Sequence, residues 1–70
     1  MKEILVHSSA LSGFAYDPEQ QQLRIRFRDG HVYLYRLIPP TTVQALLEEP
    51  SVGQYFNSHI RDRFPCVRLS

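Results

Sequence analysis

Leu23-Arg24-Ile25-Arg26-Phe27-Arg28-Asp29-Gly30-His31-Val32-Tyr33-Leu34-Tyr35 is the stretch on which the fold turns. Leu23, Ile25 and Phe27 alternate strictly with Arg24, Arg26 and Arg28, which is the period of two of a half-buried strand. Asp29-Gly30 is a preferred pair for a two-residue type I′ turn. His31-Val32-Tyr33-Leu34-Tyr35-Arg36-Leu37, rich in β-branched and aromatic residues, reads as the returning strand. A two-residue turn predicts that Arg28 faces His31, Phe27 faces Val32, Arg26 faces Tyr33, Ile25 faces Leu34 and Arg24 faces Tyr35. Opposed residues share a face of the sheet. Ile25, Phe27, Val32 and Leu34 are therefore expected on the core side, with Arg24, Arg26, Arg28, His31, Tyr33 and Tyr35 on the other. A one-residue slip would bury arginines, so the register is expected to be strongly specified.

Working outward, Ile4 and Val6 suggest a short first strand, and Leu11 to Tyr16 a second with Phe14 and Tyr16 on one face. Asp17-Pro18-Glu19-Gln20 is a turn, because Pro presets φ and Asp can bond the backbone ahead of it. Beyond the hairpin, Pro39-Pro40 ends the sheet. Thr41, with Gln44 three residues on, reads as a helix start, and Val43, Leu46 and Leu47 lie at helical spacing up to Pro50. Ser51 with Gln54 starts a second helix whose Val52, Tyr55, Phe56 and Ile60 share one face. Val67-Arg68-Leu69, after Pro65, reads as an edge strand. The expectation is an α+β fold: a small antiparallel sheet, hairpin or meander, with two short helices packed on its apolar face. Residues 1–70 are expected to form a single domain.

A chain of 70 residues buries only about 60% of its unfolded surface. Little room is left for an enclosed substrate cavity, and the expectation is a binding module rather than an enzyme. No segment approaches the ~18 apolar residues of a membrane span, and the single cysteine, Cys66, excludes an internal disulfide framework. The expected setting is the cytoplasm, without membrane association. The net charge of +1 conceals an uneven distribution. Arg24, Arg26, Arg28 and Arg36 face only Asp29 in the hairpin region. Arg61, Arg63 and Arg68 face only Asp62 in the tail, and the remaining acids lie elsewhere.

The residues carry two functional readings. Aromatic rings on a sheet stack bases while Arg neutralises phosphates. Tyr33 and Tyr35 with Arg24, Arg26 and Arg28, extended by Arg36, Arg61 and Arg63, thus form a candidate surface for RNA or another single strand. The same face, or a free sheet edge, equally suits a protein partner or a second copy of the chain. The expected state is a monomer or weak homodimer. The helix start at Ser51 and Gly53 is a candidate anion site, with structural capping as its alternative. His7, His31 and His59 are too scattered for a metal site, and no cofactor is expected. Ser58, His59 and Asp62 are residue types of a catalytic triad. Adjacent helical positions, however, point about 100° apart, which prevents the needed hydrogen bond. Cys66, lacking a base partner, is expected to be a small buried thiol.

Taken together, Val6-His7-Ser8-Ser9, Tyr16-Asp17, Leu23-Arg24-Ile25-Arg26-Phe27, Gly30, Tyr33-Leu34-Tyr35, Ile38-Pro39, Ser51-Val52-Gly53-Gln54-Tyr55-Phe56-Asn57 and Ile60-Arg61 resemble the KTSC domain. The resemblance spans residues 5–69. Phe64 and Val52 depart from it, standing where a Tyr and a polar or basic residue are usual. The family is named for its place at the C-terminus of some lysyl-tRNA synthetases and also occurs as small free-standing bacterial proteins. The resemblance implies no catalytic residues. It implies RNA, tRNA included, as a candidate partner, with the family's Tyr-x-Tyr falling on Tyr33 and Tyr35.

Overall fold

The computed structural model describes residues 3–6 and 8–70. His7, considered above for metal binding and as part of the family pattern, lies outside the described residues. Five strands run in chain order across one antiparallel sheet: β1 (Glu3–Leu5), β2 (Leu11–Asp17), β3 (Gln22–Phe27), β4 (Val32–Tyr35) and β5 (Cys66–Arg68). Two helices, α1 (Pro40–Glu48) and α2 (Val52–His59), separate β4 from β5. The architecture is the expected α+β one. No helix among the described residues is long and apolar enough to cross a membrane.

The turns follow from their residues. The Asp17 carboxylate accepts hydrogen bonds from the backbone N–H groups of Glu19 and Gln20, at 3.0 and 3.3 Å. Thr41, expected to cap the first helix, lies inside it instead: with Pro39 at the cap position and no side-chain cap, the helix begins at Pro40. Proline suits this position because the first-turn N–H it lacks has no intrahelical partner. The Ser51 hydroxyl caps α2 by accepting from the Gln54 N–H at 3.3 Å, as its spacing predicts. Phe56 and Ile60 of the expected α2 face are buried, and Val52 and Tyr55 are half-buried. With Phe14, Leu23, Ile25, Ile38, Val43 and Leu46 they form the core between sheet and helices.

The hairpin register departs from expectation by one residue. Leu23 pairs with Tyr35, Arg24 with Leu34, Ile25 with Tyr33 and Arg26 with Val32. The connection is the three-residue loop Arg28-Asp29-Gly30. Phe27 receives a bond from the Gly30 N–H (3.1 Å) and donates its own N–H to the His31 carbonyl (2.9 Å). Gly30 sits at φ +94°, and the Asp29 carboxylate accepts from the His31 N–H at 3.0 Å. A type I turn closed by a left-handed residue is the usual three-residue hairpin. It leaves β3 facing as predicted but turns β4 over.

Tyr33 and Tyr35 therefore share the helix-facing side with Leu23, Ile25 and Phe27, while Val32 and Leu34 join Arg24 and Arg26 outside. The packing explains the preference. Tyr35 is only 4% exposed. Four aromatics form an edge-to-face chain, with ring-centre distances of 5.5 Å from Tyr33 to Phe27, 5.6 Å from Phe27 to Phe56 and 5.4 Å from Phe56 to Tyr35. Such pairs contribute about 0.5–1.5 kcal/mol each beyond burial. Val32 and Leu34 facing inward would forfeit them. The expected slip penalty is thus absent, since the arginines of β3 stay outside in either register.

Candidate binding cleft

Turning β4 over replaces the expected flat platform with a cleft. Its walls are Tyr33 and Tyr35 of β4, Cys66 of β5, and the segment Arg61-Asp62-Arg63-Phe64 that connects α2 to β5. Phe27, Asp29 and His31 complete it, and the open cleft has a volume of about 650 Å³.

Local backbone chemistry positions the basic wall. After α2, the N–H groups of Ile60 and Arg61 both bond the Phe56 carbonyl, at 3.0 and 2.9 Å. Asp62 then adopts φ +63°, the Arg63 N–H bonds the Ile60 carbonyl at 3.1 Å, and the chain reverses. The Arg36 N–H bonds the Pro65 carbonyl at 2.8 Å and ties the returning chain to β4. Ile60 is buried in the core while Arg61, Asp62 and Arg63 remain exposed at the mouth. Arg61 reaches the Asn57 amide oxygen at 3.4 Å.

Arg68 stands opposite Tyr33 across the β4–β5 pairing, and its guanidinium donates to His31 Nδ1 at 2.9 Å. Arginine can only donate, so Nδ1 is placed as the acceptor. The other ring nitrogen, Nε2, lies 3.9 Å from the Asp29 carboxylate. Tyr33 is half-buried and offers part of its ring to the cleft. Tyr35 forms the floor: burial pushes its hydroxyl up to about 12, and Cys66 beside it adds to the shift. Cys66 is exposed rather than buried as expected, because alternation along β5 turns it toward this open side.

The expected site residues are therefore divided. The cleft unites Tyr33, Tyr35, Arg61 and Arg63. Arg24 and Arg26 occupy the opposite face of the sheet. Arg28 belongs to the hairpin loop, where its Nε donates to the Ser8 carbonyl at 2.8 Å. Arg36 lies beyond the end of β4 with Leu37 and Pro65. At the α2 start, Ser51 is engaged as the helix cap, and Gly53 is buried with a hypothetical Cβ only 2.6 Å from the Ser8 hydroxyl oxygen. Both thus have structural work. Sequence reasoning did not assign Phe27, Asp29, His31, Asp62, Phe64 and Cys66 to the site, although they line the cleft, nor Arg68, which stands beside it opposite Tyr33. The available signal was the alternation of Cys66 and Arg68 on an edge strand following β4.

The outer face is a different surface. One row across it reads Leu5, Gly13, Arg26, Val32, and the next reads Glu3, Ala15, Arg24, Leu34, Val67. An Arg26–Glu3 ion pair of 3.4 Å bridges over β2, where Ala15 is fully buried. Leu5, Val67 and Leu69 are exposed. Among the described residues, no group of three or more His, Cys, Asp or Glu side chains is placed to hold a metal ion.

A five-stranded antiparallel meander with two helices inserted before its last strand, and an aromatic–arginine cleft at that edge, defines a small α+β domain. The KTSC domain family model matches residues 7–64, and the chain belongs to that family. A crystal structure of a KTSC domain protein from Yersinia pestis is similar at a TM-score of 0.94 and 29% identity, covering 99% of this chain and 97% of that one. A protein of Stutzerimonas stutzeri, named only as uncharacterized, is 49% identical over 57 residues, covering 81% of this chain and 80% of its own. A lysine–tRNA ligase of Nostoc punctiforme is 39% identical over 62 residues. That match covers 89% of this chain but only 11% of the ligase, so the domain is one module of a much larger protein there.

Proposed function

We propose that this domain is a non-catalytic module that binds a short single-stranded RNA segment in the cleft. The observation that carries the reading is the convergence of Arg61, Arg63 and the Arg68–His31 pair around the part-exposed ring of Tyr33. A base stacking on Tyr33 would leave its phosphates within reach of those arginines, which is how single strands are held without sequence readout. The presence of a similar domain within a lysine–tRNA ligase is consistent with an RNA partner.

The test is fluorescence anisotropy with an end-labelled oligouridylate at low salt. Tyr33→Ala is expected to weaken binding about tenfold, from a stacking contribution of about 1–3 kcal/mol per base. Arg61→Ala and Arg63→Ala should each weaken binding and flatten its salt dependence. Arg24→Ala and Arg26→Ala should leave it unchanged. The reverse pattern, or no binding at low salt, overturns the reading. One observation favours a second reading, a protein partner on the outer face: Leu5, Val67 and Leu69 are 77%, 44% and 53% exposed there.

A further inference from the structure

We propose that β5 pairs antiparallel with β5 of a second copy of this chain, about a two-fold axis at Val67, and that this dimer joins the two clefts. The pairing itself needs only the backbone. Its consequence for ligand binding rests on the RNA reading above.

The hydrogen-bond pattern shows which groups are free. The Arg36 N–H bonds the Pro65 carbonyl and the Leu69 N–H bonds the Val32 carbonyl, both at 2.8 Å. Pairs alternate along an antiparallel ladder, so Pro65, Val67 and Leu69 direct their polar backbone groups toward β4. Cys66 and Arg68 direct theirs away from it. β5 is the last strand of the sheet and all three of its residues are exposed. Among the described residues, no element pairs with that edge. An uncovered edge is a template for a further strand.

A second β5 fits this edge by symmetry. When Val67 lies opposite Val67 of the partner subunit, Cys66 lies opposite the partner's Arg68. Each free N–H then meets a free carbonyl, with none left over. Pro65 does not obstruct this, because its missing N–H would have pointed toward β4. The two Val67 side chains meet on the outer face, where each is 44% exposed in the single chain. Edge pairing by so short a strand is weak alone.

The charge arrangement links that weakness to the ligand. Cys66 lines the cleft and Arg68 shares its side of the sheet. Pairing therefore places the partner's Arg68 beside Cys66, next to Arg61 and Arg63. Arg61, Arg63 and the partner's Arg68 outnumber Asp29 and Asp62, which also line the cleft, and these surplus positive charges oppose the dimer when the cleft is empty. A polyanion lying across the axis offsets them, so ligand and second copy each favour the other.

The test is disulfide trapping. Cys66→Ser removes the native thiol, and Val67→Cys in that background places a thiol on the proposed axis. Directly opposed residues of an antiparallel pair lie within the Cα separation a disulfide allows. The expected product under mild oxidation is a covalent dimer as the main species. Leu5→Cys in the same background, exposed on the opposite edge strand, should stay monomeric. Val67→Glu in the native chain should abolish the dimer seen by light scattering at high concentration, with an unchanged circular dichroism spectrum. Oligouridylate at low salt should raise the trapped fraction severalfold. A monomeric Val67→Cys variant, with its spectrum intact and with or without the oligonucleotide, overturns the proposal. Trapping that occurs but does not respond to an oligouridylate that binds by anisotropy leaves the edge pairing standing and overturns its coupling to the ligand; absence of binding by anisotropy counts against the RNA reading alone.

Discussion

Replacing Tyr35 by Phe should remove a defined slice of the pH dependence of stability. Tyr35 as a whole is 4% exposed, its hydroxyl lies beside Cys66, and its pKa rises from 10.0 to about 12 in the folded chain. Burial is the leading cause, since the phenolate form loses its hydration. The shift raises the folded pKa, so its contribution is fully present below the unfolded value near 10 and is lost as the pH rises toward 12. A shift of that size corresponds to at most about 3 kcal/mol, lost progressively across that window. A domain of this size has a total stability of only about 4–10 kcal/mol, so the loss is a large fraction of it. Tyr35→Phe keeps the ring and its contact with Phe56. Near neutral pH it should cost about 1 kcal/mol or less, for the lost hydroxyl contact. The assay is urea unfolding followed by circular dichroism, from about pH 9 to about pH 11.5. The native chain should weaken steeply over that interval, and the variant should weaken less by an amount that grows with pH. A constant difference between the two curves would mean that Tyr35 ionises as freely in the folded state as in the unfolded one. Its inward placement, and the register that puts it there, would then be refuted.

Two further predictions probe the same architecture. Gly30→Ala should destabilise by about 1–2 kcal/mol, because φ +94° is costly for a residue with a Cβ; nothing lies within 4 Å of that Cβ, so Gly30→Asn should recover part of the loss in thermal melts. Phe56→Ala should cost about 3–5 kcal/mol by emptying the centre of the aromatic chain at a position only 1% exposed, leaving little cooperative unfolding, whereas Phe56→Leu should still fold.

The elements were legible because their signals are local. The alternation of Leu23, Ile25 and Phe27 with three arginines settles which face of β3 is buried, whatever its neighbours do. Ser51 announces the second helix through the N–H it caps, and Asp17 announces the turn through the two N–H groups it binds. The face of β4 was not legible, because Val-Tyr-Leu-Tyr offers four residues that can each be buried and no charge to forbid either side. The exposure of Cys66 was equally hidden, since it depends on which side of β5 the helices leave open.

The sequence by itself therefore determined the element order and the basic row on β3. These follow from periodicity and capping chemistry. The tertiary structure alone decided where the tyrosines go. One extra residue in the hairpin loop turns β4 over, because edge-to-face packing of Tyr33, Phe27, Phe56 and Tyr35 outweighs burial of Val32 and Leu34. That single inversion separates Arg24 and Arg26 from the aromatic rings and joins Tyr33 to Arg61 and Arg63 instead. Packing complementarity is a property of the assembled core, and no local pattern in the chain encodes it.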